Sequence, residues 1–331
     1  ISGNYAVIGS RKGETDENGF NPLTSAGCAY VFERASSGTW FQKQKLVSSD
    51  RAVGDEFGFS VSISGSSILI GAPQEDEDAL GGNYKPSSGS CYVFQRNSSG
   101  IWSQTQKIVN LDRGPVDDNF GWSVSISGDN LIVGARQERD DELGANTISA
   151  AGAAYIFSRN TSGVWIESQK LVGSHRGIAY QFGVSVSISG DMAAVGSFWD
   201  EKNSSGGNNL TKAGAVYLFE KNPSGVWLLN EKLVASDRDS NDIFGASVSI
   251  SGDNLIVGAS QEDHDSIGSN SMLNSGAAYI FNTVAGTLNR TLVNPTPANS
   301  DYFAVPAGAY LTIESFGQSY IKLEQMHRGI V

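Results

Sequence analysis

An all-β fold built from one repeated unit is predicted by three observations. Tryptophan recurs at a fixed interval, at Trp40, Trp102, Trp165 and Trp227, about 62 residues apart. An apolar and aromatic signature returns five times, as Ala29-Tyr30-Val31-Phe32, Cys91-Tyr92-Val93-Phe94, Ala154-Tyr155-Ile156-Phe157, Val216-Tyr217-Leu218-Phe219 and Ala278-Tyr279-Ile280-Phe281. No stretch carries the apolar spacing of an amphipathic helix, while apolar and small polar residues alternate in many places. A unit of this kind cannot bury its own apolar face, so neighbours must stack to make the core.

The second unit shows how each element is justified. Phe57 to Ser64 alternates, with Phe57, Phe59, Val61 and Ile63 on one parity, the pattern of a half-buried strand. Gly65-Ser66 turns the chain, as Gly128-Asp129, Gly190-Asp191 and Gly252-Asp253 do in later units. Ile68 to Ala72 is continuously apolar, so this second strand should lie deep, covered on both faces. After a polar loop, Ser90 to Gln95 is a third strand, and Ile101 to Val109, with Trp102, a fourth. Four antiparallel strands per unit specify the blade of a β-propeller, here of about five blades, as a complete small ring or an arc of a larger one. The 39 glycines fall at the repeated turns, which fits many hairpins.

Unit boundaries follow at about 1–56, 57–119, 120–181, 182–243 and 244–282, making residues 1–282 the repeat domain. The first unit starts at Ile1-Ser2-Gly3, the turn that follows the opening strand in the others, and has no initiator Met, so the chain reads as cut there. Phe-Gly-x-Ser-Val followed by an apolar Gly-Ala strand, as in Phe120-Gly121-Trp122-Ser123-Val124 and Ile132-Val133-Gly134-Ala135, resembles the FG-GAP repeat, the blade of the integrin α-subunit head and of many bacterial surface proteins. The resemblance implies a propeller that recognises a protein or glycan from its loop face. Many blades of that family carry an Asp-rich calcium loop between their first two strands. Here that link is only Gly-Asp-Asn or Gly-Ser-Ser, too few oxygens for a calcium shell of about six to eight ligands, so the site does not transfer.

Composition narrows the partners. A formal charge of −12 and a pI near 4.7 argue against nucleic acid and anionic membranes, which need clustered Lys and Arg. No apolar run approaches the roughly 18 to 20 residues of a membrane span, so no membrane insertion is expected. Cys28 and Cys91 have opposite strand parity relative to their repeat tyrosines, which predicts packed thiols rather than a bridge.

The loop between the second and third strands holds the most chemistry. Seven residues after the Gly that ends strand two stand Asp16, Asp78, Asp141, Asn203 and Asp265, and twelve after it Asn21, Asn83, Asn146, Asn208 and Asn270. With Glu75, Asp76, Asp140 and Asp263 nearby, these are oxygen ligands of the type calcium takes, and calcium is the one candidate cofactor. The competing reading is that Asp and Asn simply stabilise turns through their own backbone. A second cluster precedes three of the Phe-Gly pairs: Asp50-Arg51 with Asp55, Asp112-Arg113 with Asp118, and Asp237-Arg238 with Asp242. Ion pairs that tie neighbouring blades account for it, and the third junction departs from it with His175, Arg176 and Tyr180. Phe198-Trp199 lies in the fourth loop, where an exposed aromatic can stack on a sugar, whereas Trp122 falls on a strand and reads as packing. His175, His264 and His327 occupy unrelated repeat positions and no nucleophile or phosphate motif is present, so no catalytic residue is assigned.

After Phe281 the Trp and the Gln-Lys-Leu-Val strand are missing, and residues 283–331 read as a linker with a partial β segment. Asn294-Pro295-Thr296, Tyr302-Phe303-Ala304-Val305, Tyr310-Leu311-Thr312-Ile313 and Gly317-Gln318 resemble the opening of the C-terminal sorting domain of the type IX secretion system of Bacteroidetes-type bacteria. The rival is a degenerate sixth blade. The expected function is a secreted or surface-anchored recognition or adhesion scaffold, monomeric and non-enzymatic. The alternatives are a substrate-binding module of a larger polysaccharide-degrading enzyme and a structural spacer.

Overall fold

The computed structural model describes residues 1–114, 117–264, 273–283, 287–293, 314–316 and 320–322. Among the described residues every regular element is a strand. The first repeat supplies β1 (Tyr5–Ser10), β2 (Cys28–Arg34) and β3 (Trp40–Leu46). The second holds β4 (Ser60–Ser64), β5 (Ser67–Ala72), β6 (Ser90–Arg96) and β7 (Trp102–Ile108), and the third β8 (Phe120–Ser127), β9 (Asn130–Ala135), β10 (Ala153–Arg159) and β11 (Trp165–Leu171). The fourth holds β12 (Ser185–Ser189), β13 (Met192–Ser197), β14 (Ala215–Lys221) and β15 (Trp227–Leu233). The fifth holds β16 (Phe244–Ser251), β17 (Asn254–Ala259), β18 (Ala277–Asn282) and β19 (Thr287–Val293). A short hairpin of β20 (Glu314–Phe316) and β21 (Tyr320–Lys322) follows.

Each repeat is an antiparallel meander in which sequence neighbours are sheet neighbours. The first sheet has three strands and the next four have four, the propeller blades that the repeats predict. Two compact units result, Ile1–Val172 with the first three sheets and Gly173–Val331 with the fourth and fifth.

Within a blade the second strand is the deepest. All six residues of β5 are buried, as its unbroken apolar run requires. The Phe of each Phe-Gly packs edge-on against the Tyr of the third strand, with centroids 5.3 Å apart for Phe57–Tyr92, 5.5 Å for Phe120–Tyr155 and 5.2 Å for Phe244–Tyr279. Such a pair adds about 0.5–1.5 kcal/mol beyond the area it buries. The expected first strand from Phe57 starts later, at Ser60. Phe57 instead bridges Gly27 of the first repeat, and Phe120 and Phe244 bridge Gly89 and Gly214 in the same way. Those glycines have φ of 85–87° and lie against the backbone of the next Phe, so a side chain is excluded both sterically and by conformation.

The tryptophans lock repeat to repeat. Gln44 receives the Trp102 N–H at 2.9 Å and donates to the Trp102 carbonyl at 2.8 Å, and Gln106 does the same to Trp165 at 2.9 and 2.8 Å. Trp102 and Trp165 are 2 and 3 % exposed, whereas Trp40 is 37 % exposed. Cys28 and Cys91 are buried free thiols.

One boundary needs correcting. The repeat does not end at 282: β19 pairs with β18 through Val293, with the same shift between Ile280 and Phe281 that the second repeat has between Val93 and Phe94. Leu292-Val293 keeps the Leu-Val of Lys45-Leu46-Val47 and Lys170-Leu171-Val172, and Val293 packs on the fifth core. The strand forms without its Trp and Lys because backbone pairing and two apolar side chains suffice. Of the residues assigned to a sorting domain or sixth blade, β20 and β21 form a hairpin, while the Asn-Pro-Thr turn and Tyr302 to Ile313 lie outside the described residues.

Candidate functional site

The meander places two kinds of connection at one end of each blade: the loop between strands two and three, and the junction from strand four to the next blade. Arg51, Arg113 and Arg238 confirm that they meet there. Arg51 donates to the Glu14 carbonyl at 2.7 Å and the Asn21 carbonyl at 3.4 Å, Arg113 to Asp76 at 2.9 Å and Asn83 at 3.1 Å, and Arg238 to Glu201 at 2.6 Å and Asn208 at 3.0 Å. Each guanidinium thus clamps the acidic loop of the preceding repeat through its backbone carbonyls. The adjacent aspartates point the other way. Asp50 accepts from Tyr92 at 2.9 Å and pairs with Lys107 at 2.7 Å, Asp112 accepts from Tyr155 at 2.8 Å and pairs with Lys170 at 2.6 Å, and Asp237 accepts from Tyr279 at 2.8 Å. The Asp-Arg dipeptide therefore ties blades together as two separate links, backward through Arg and forward through Asp, in place of the direct pair expected.

In the acidic loops the oxygens meant for calcium are occupied by N–H donors. Asp16 Oδ1 accepts from the Asn18 and Phe20 amides at 2.9 Å, and Oδ2 from the Asn21 side chain at 2.6 Å. Asp78 repeats this with Leu80, Gly82 and Asn83, and Asp141 with Leu143, Ala145 and Asn146. These bonds hold Asp16 and Asp78 below the ordinary carboxylate range, through the Phe20 and Gly82 amides first. Asn21, Asn83 and Asn146 sit at φ of 45–47°, the left-handed region that Asn tolerates. Asp76 accepts from the Ser87 amide at 2.7 Å, Asp140 from Thr147 at 2.7 Å and Asp263 from the Asn274 amide at 2.5 Å. This is the geometry of a closed hydrogen-bonded turn, and among the described residues no three His, Cys, Asp or Glu groups converge as a metal cluster. Asp265 and Asn270 lie outside the described residues.

Glu75 has a different role. With Glu138, Asp200 and Glu262, each four residues after the Gly of strand two, it is at most 3 % exposed. Its carboxylate accepts from the Asp76 and Glu77 amides at 3.1 and 2.9 Å, from Ser90 at 2.7 Å, and pairs with Lys107. Tyr155 likewise donates to Glu138 at 2.9 Å and Tyr217 to Asp200 at 2.7 Å. Lys107, Lys170 and Lys232 lie directly opposite those repeat tyrosines in strand register. A further carboxyl, Asp55, Asp118 or Asp242, is buried nearby; desolvation first, then the charge of the neighbouring Glu, pushes these up to about 6, 7 and 8. The fourth repeat has a smaller set, Asp200 with Lys232 at 2.8 Å, because His175 and Tyr180 replace two acids. That accounts for the broken junction pattern by charge. Sequence reading missed this cluster because Tyr, Lys and Glu lie on separate elements, although their fixed repeat offsets were visible.

Aromatic clusters also lie near these loops in each compact unit. The Arg136 guanidinium stacks 3.3 Å from the centre of Trp122, Trp122 lies 4.4 Å from Phe59, and Arg11 sits 5.2 Å over Phe59. Trp122 is half-buried packing, as its strand position predicts, but the ladder it belongs to was not foreseen. Phe198 and Trp199 are half-buried, stack on one another at 5.3 Å, and carry the Lys212 ammonium 4.4 Å from the Trp199 ring. Between the first loop, the junction at 44–51 and the second repeat lies a cleft of about 810 Å³.

The sequence profile described as FG-GAP repeat matches residues 40–94, 102–157, 165–219 and 227–281. Each match starts at a repeat tryptophan and ends at the Phe of the next Tyr-x-Phe signature, so it is out of phase with the blades by one strand. No curated protein matches the chain. Among solved structures, a crystal structure of a protein from Lactobacillus plantarum is similar with a TM-score of 0.50 at 11 % identity, over 93 % of this chain and 70 % of that one, a likeness of fold. With four matches spanning more than half of its residues, in step with five blades, the chain belongs to the FG-GAP repeat family.

Proposed function

We propose that this protein is a non-enzymatic recognition module of the extracellular space or cell surface, binding a protein or glycan partner through the loop end of its blades. One observation carries the reading. Phe20, Leu80, Tyr84, Leu111 and Leu143 are each more than two-thirds exposed, and all lie on these loops and junctions of the first compact unit. Large apolar side chains grouped in this way at one end mark an interaction surface. The loops beneath are held rigid by the Arg clamps and Asx turns, which lowers the ordering cost of binding. Calcium is not required for that rigidity, because the turns close on their own donors.

The test is retention of the folded chain on a glycan array and on an array of surface proteins. Retention should be abolished by Leu80→Ser with Leu111→Ser and unaffected by Ile101→Ser on the opposite hairpin. Binding that follows Ile101 instead, or no retention on either array, would overturn the loop-end reading.

A further inference from the structure

The cleft at the loop end of the first two repeats has a chemistry of its own. Its volume of about 810 Å³ falls in the range of small-ligand sites. Ser48 stands in its wall, 3 % exposed, with a buried hydroxyl that has no hydrogen-bond partner within the protein. The fold does not demand a polar group there, since the equivalent positions hold Gly173 and Ala235 in later repeats. A buried hydroxyl without a partner is a group that a ligand can satisfy.

The surroundings differ from the other repeats as well. Where they place Glu75, Glu138, Asp200 or Glu262, the first has Gly13, so Lys45 finds no buried acid and donates instead to the Thr15 carbonyl at 2.8 Å and hydroxyl at 2.6 Å. Tyr30 is accordingly only half-buried, whereas Tyr92, Tyr155, Tyr217 and Tyr279 are buried. The lining is polar and mixed. Asp16, Glu17, Asp50 and Glu77 outnumber Lys45 and Arg51, which disfavours an anionic ligand. Leu46 and Phe94 in its wall are 2 and 4 % exposed, which leaves only the half-buried Leu23 and Val47 as apolar surface, two aliphatic side chains among mainly polar lining and no aromatic platform. Closely spaced acceptors and donors without net positive charge suit a molecule that is itself a dense array of neutral hydroxyls.

We propose that this cleft binds a neutral saccharide, with the Ser48 hydroxyl among its hydrogen-bond partners. The proposal rests on the loop-end recognition reading and names the ligand class of one part of that surface. The experiment titrates the full chain by calorimetry with maltotriose, cellotriose and mannotriose, with a galacturonate trimer, and with a Lys-Leu repeat peptide. At least one neutral trisaccharide should bind, and Ser48→Val and Ser48→Ala should each weaken it about tenfold or more with the thermal midpoint retained. If Ser48→Val unfolds the chain, Ser48→Ala, which copies Ala235 of the fourth repeat, alone decides. Neutral-sugar binding indifferent to Ser48→Ala, tighter binding of the galacturonate trimer, or binding of none of the three neutral sugars overturns the proposal. Binding of the peptide alone also overturns it, yet leaves loop-end recognition standing, which the Leu80 and Leu111 variants test separately.

Discussion

The second and third repeats each set one lysine among two buried carboxyls and one half-buried one, whereas the fifth sets none. Lys107 sits opposite Tyr92 and Lys170 opposite Tyr155, but the register places Thr291 opposite Tyr279. In the fifth repeat Asp237, Asp242 and Glu262 therefore face each other without an ammonium, and His264 Nδ1, 2.9 Å from Glu262, is the nearest replacement. The carboxyl pushed highest, Asp242 at about 8, belongs to this repeat, against about 6 and 7 for Asp55 and Asp118 beside their lysines. Buried carboxyls without a cation take up a proton instead, because desolvation and mutual repulsion both disfavour the charged form. Blades alike in backbone thus differ in what neutralises their seams.

The largest effect expected from this comparison comes from creating the fifth repeat's condition where a lysine now stands. Lys170 is 6 % exposed at its side chain, and Lys170→Met should cost about 3 kcal/mol in denaturant unfolding, since it leaves the buried Glu138 and the half-buried Asp112 without their cation. A loss below about 1 kcal/mol would mean that the carboxyls protonate at little cost.

Next is pH dependence. Burial and the Glu262 charge push Asp242 up to about 8 in the folded state from an ordinary carboxyl value of 3.8, so the folded chain binds its proton more tightly than the unfolded one. Its contribution is fully present below about pH 4 and is lost progressively as pH rises to about 8, at roughly 1.4 kcal/mol per pH unit within that window. His264, raised by its bond to Glu262, acts in the same direction. Hydrogen exchange of β17 and β18 should show this loss, and Asp242→Asn should flatten it. An unchanged slope in that variant would remove Asp242 as its source.

A smaller, opposite effect is expected from supplying the missing cation. Thr291→Lys should stabilise the fifth repeat by about 1 kcal/mol, more at pH 9 than at pH 6, as thermal unfolding at the two values will show. The smallest effect tests the loops. Their carboxylates are closed by N–H donors, so chelator should leave the thermal midpoint where added calcium leaves it. A midpoint that falls with chelator would restore the calcium reading.

Much of the fold was legible because its signals are local. The alternation from Phe57, the apolar run Ile68 to Ala72 and the Gly-Asp turns depend on residues a few positions apart, and the structure has strands and turns there. The tryptophan ladder located the repeats but misled about their end, since Trp102 and Trp165 mark contacts with a preceding repeat and not the strand itself. The site was less legible. Asp16 and Asn21 fit a calcium loop and an Asx turn equally well as letters, and only the direction of the Asn21 amide distinguishes them.

By itself, then, the sequence determined the strand periods, the turn positions and the five-fold repetition, because each is written in side chains that neighbour one another along the chain. Tertiary structure alone decided which charges meet. Arg51 reaches back 37 residues to Glu14 while Asp50 reaches forward 57 to Lys107, and adjacent letters part because the turn after β3 runs between two repeats and stacking sets what each side chain meets.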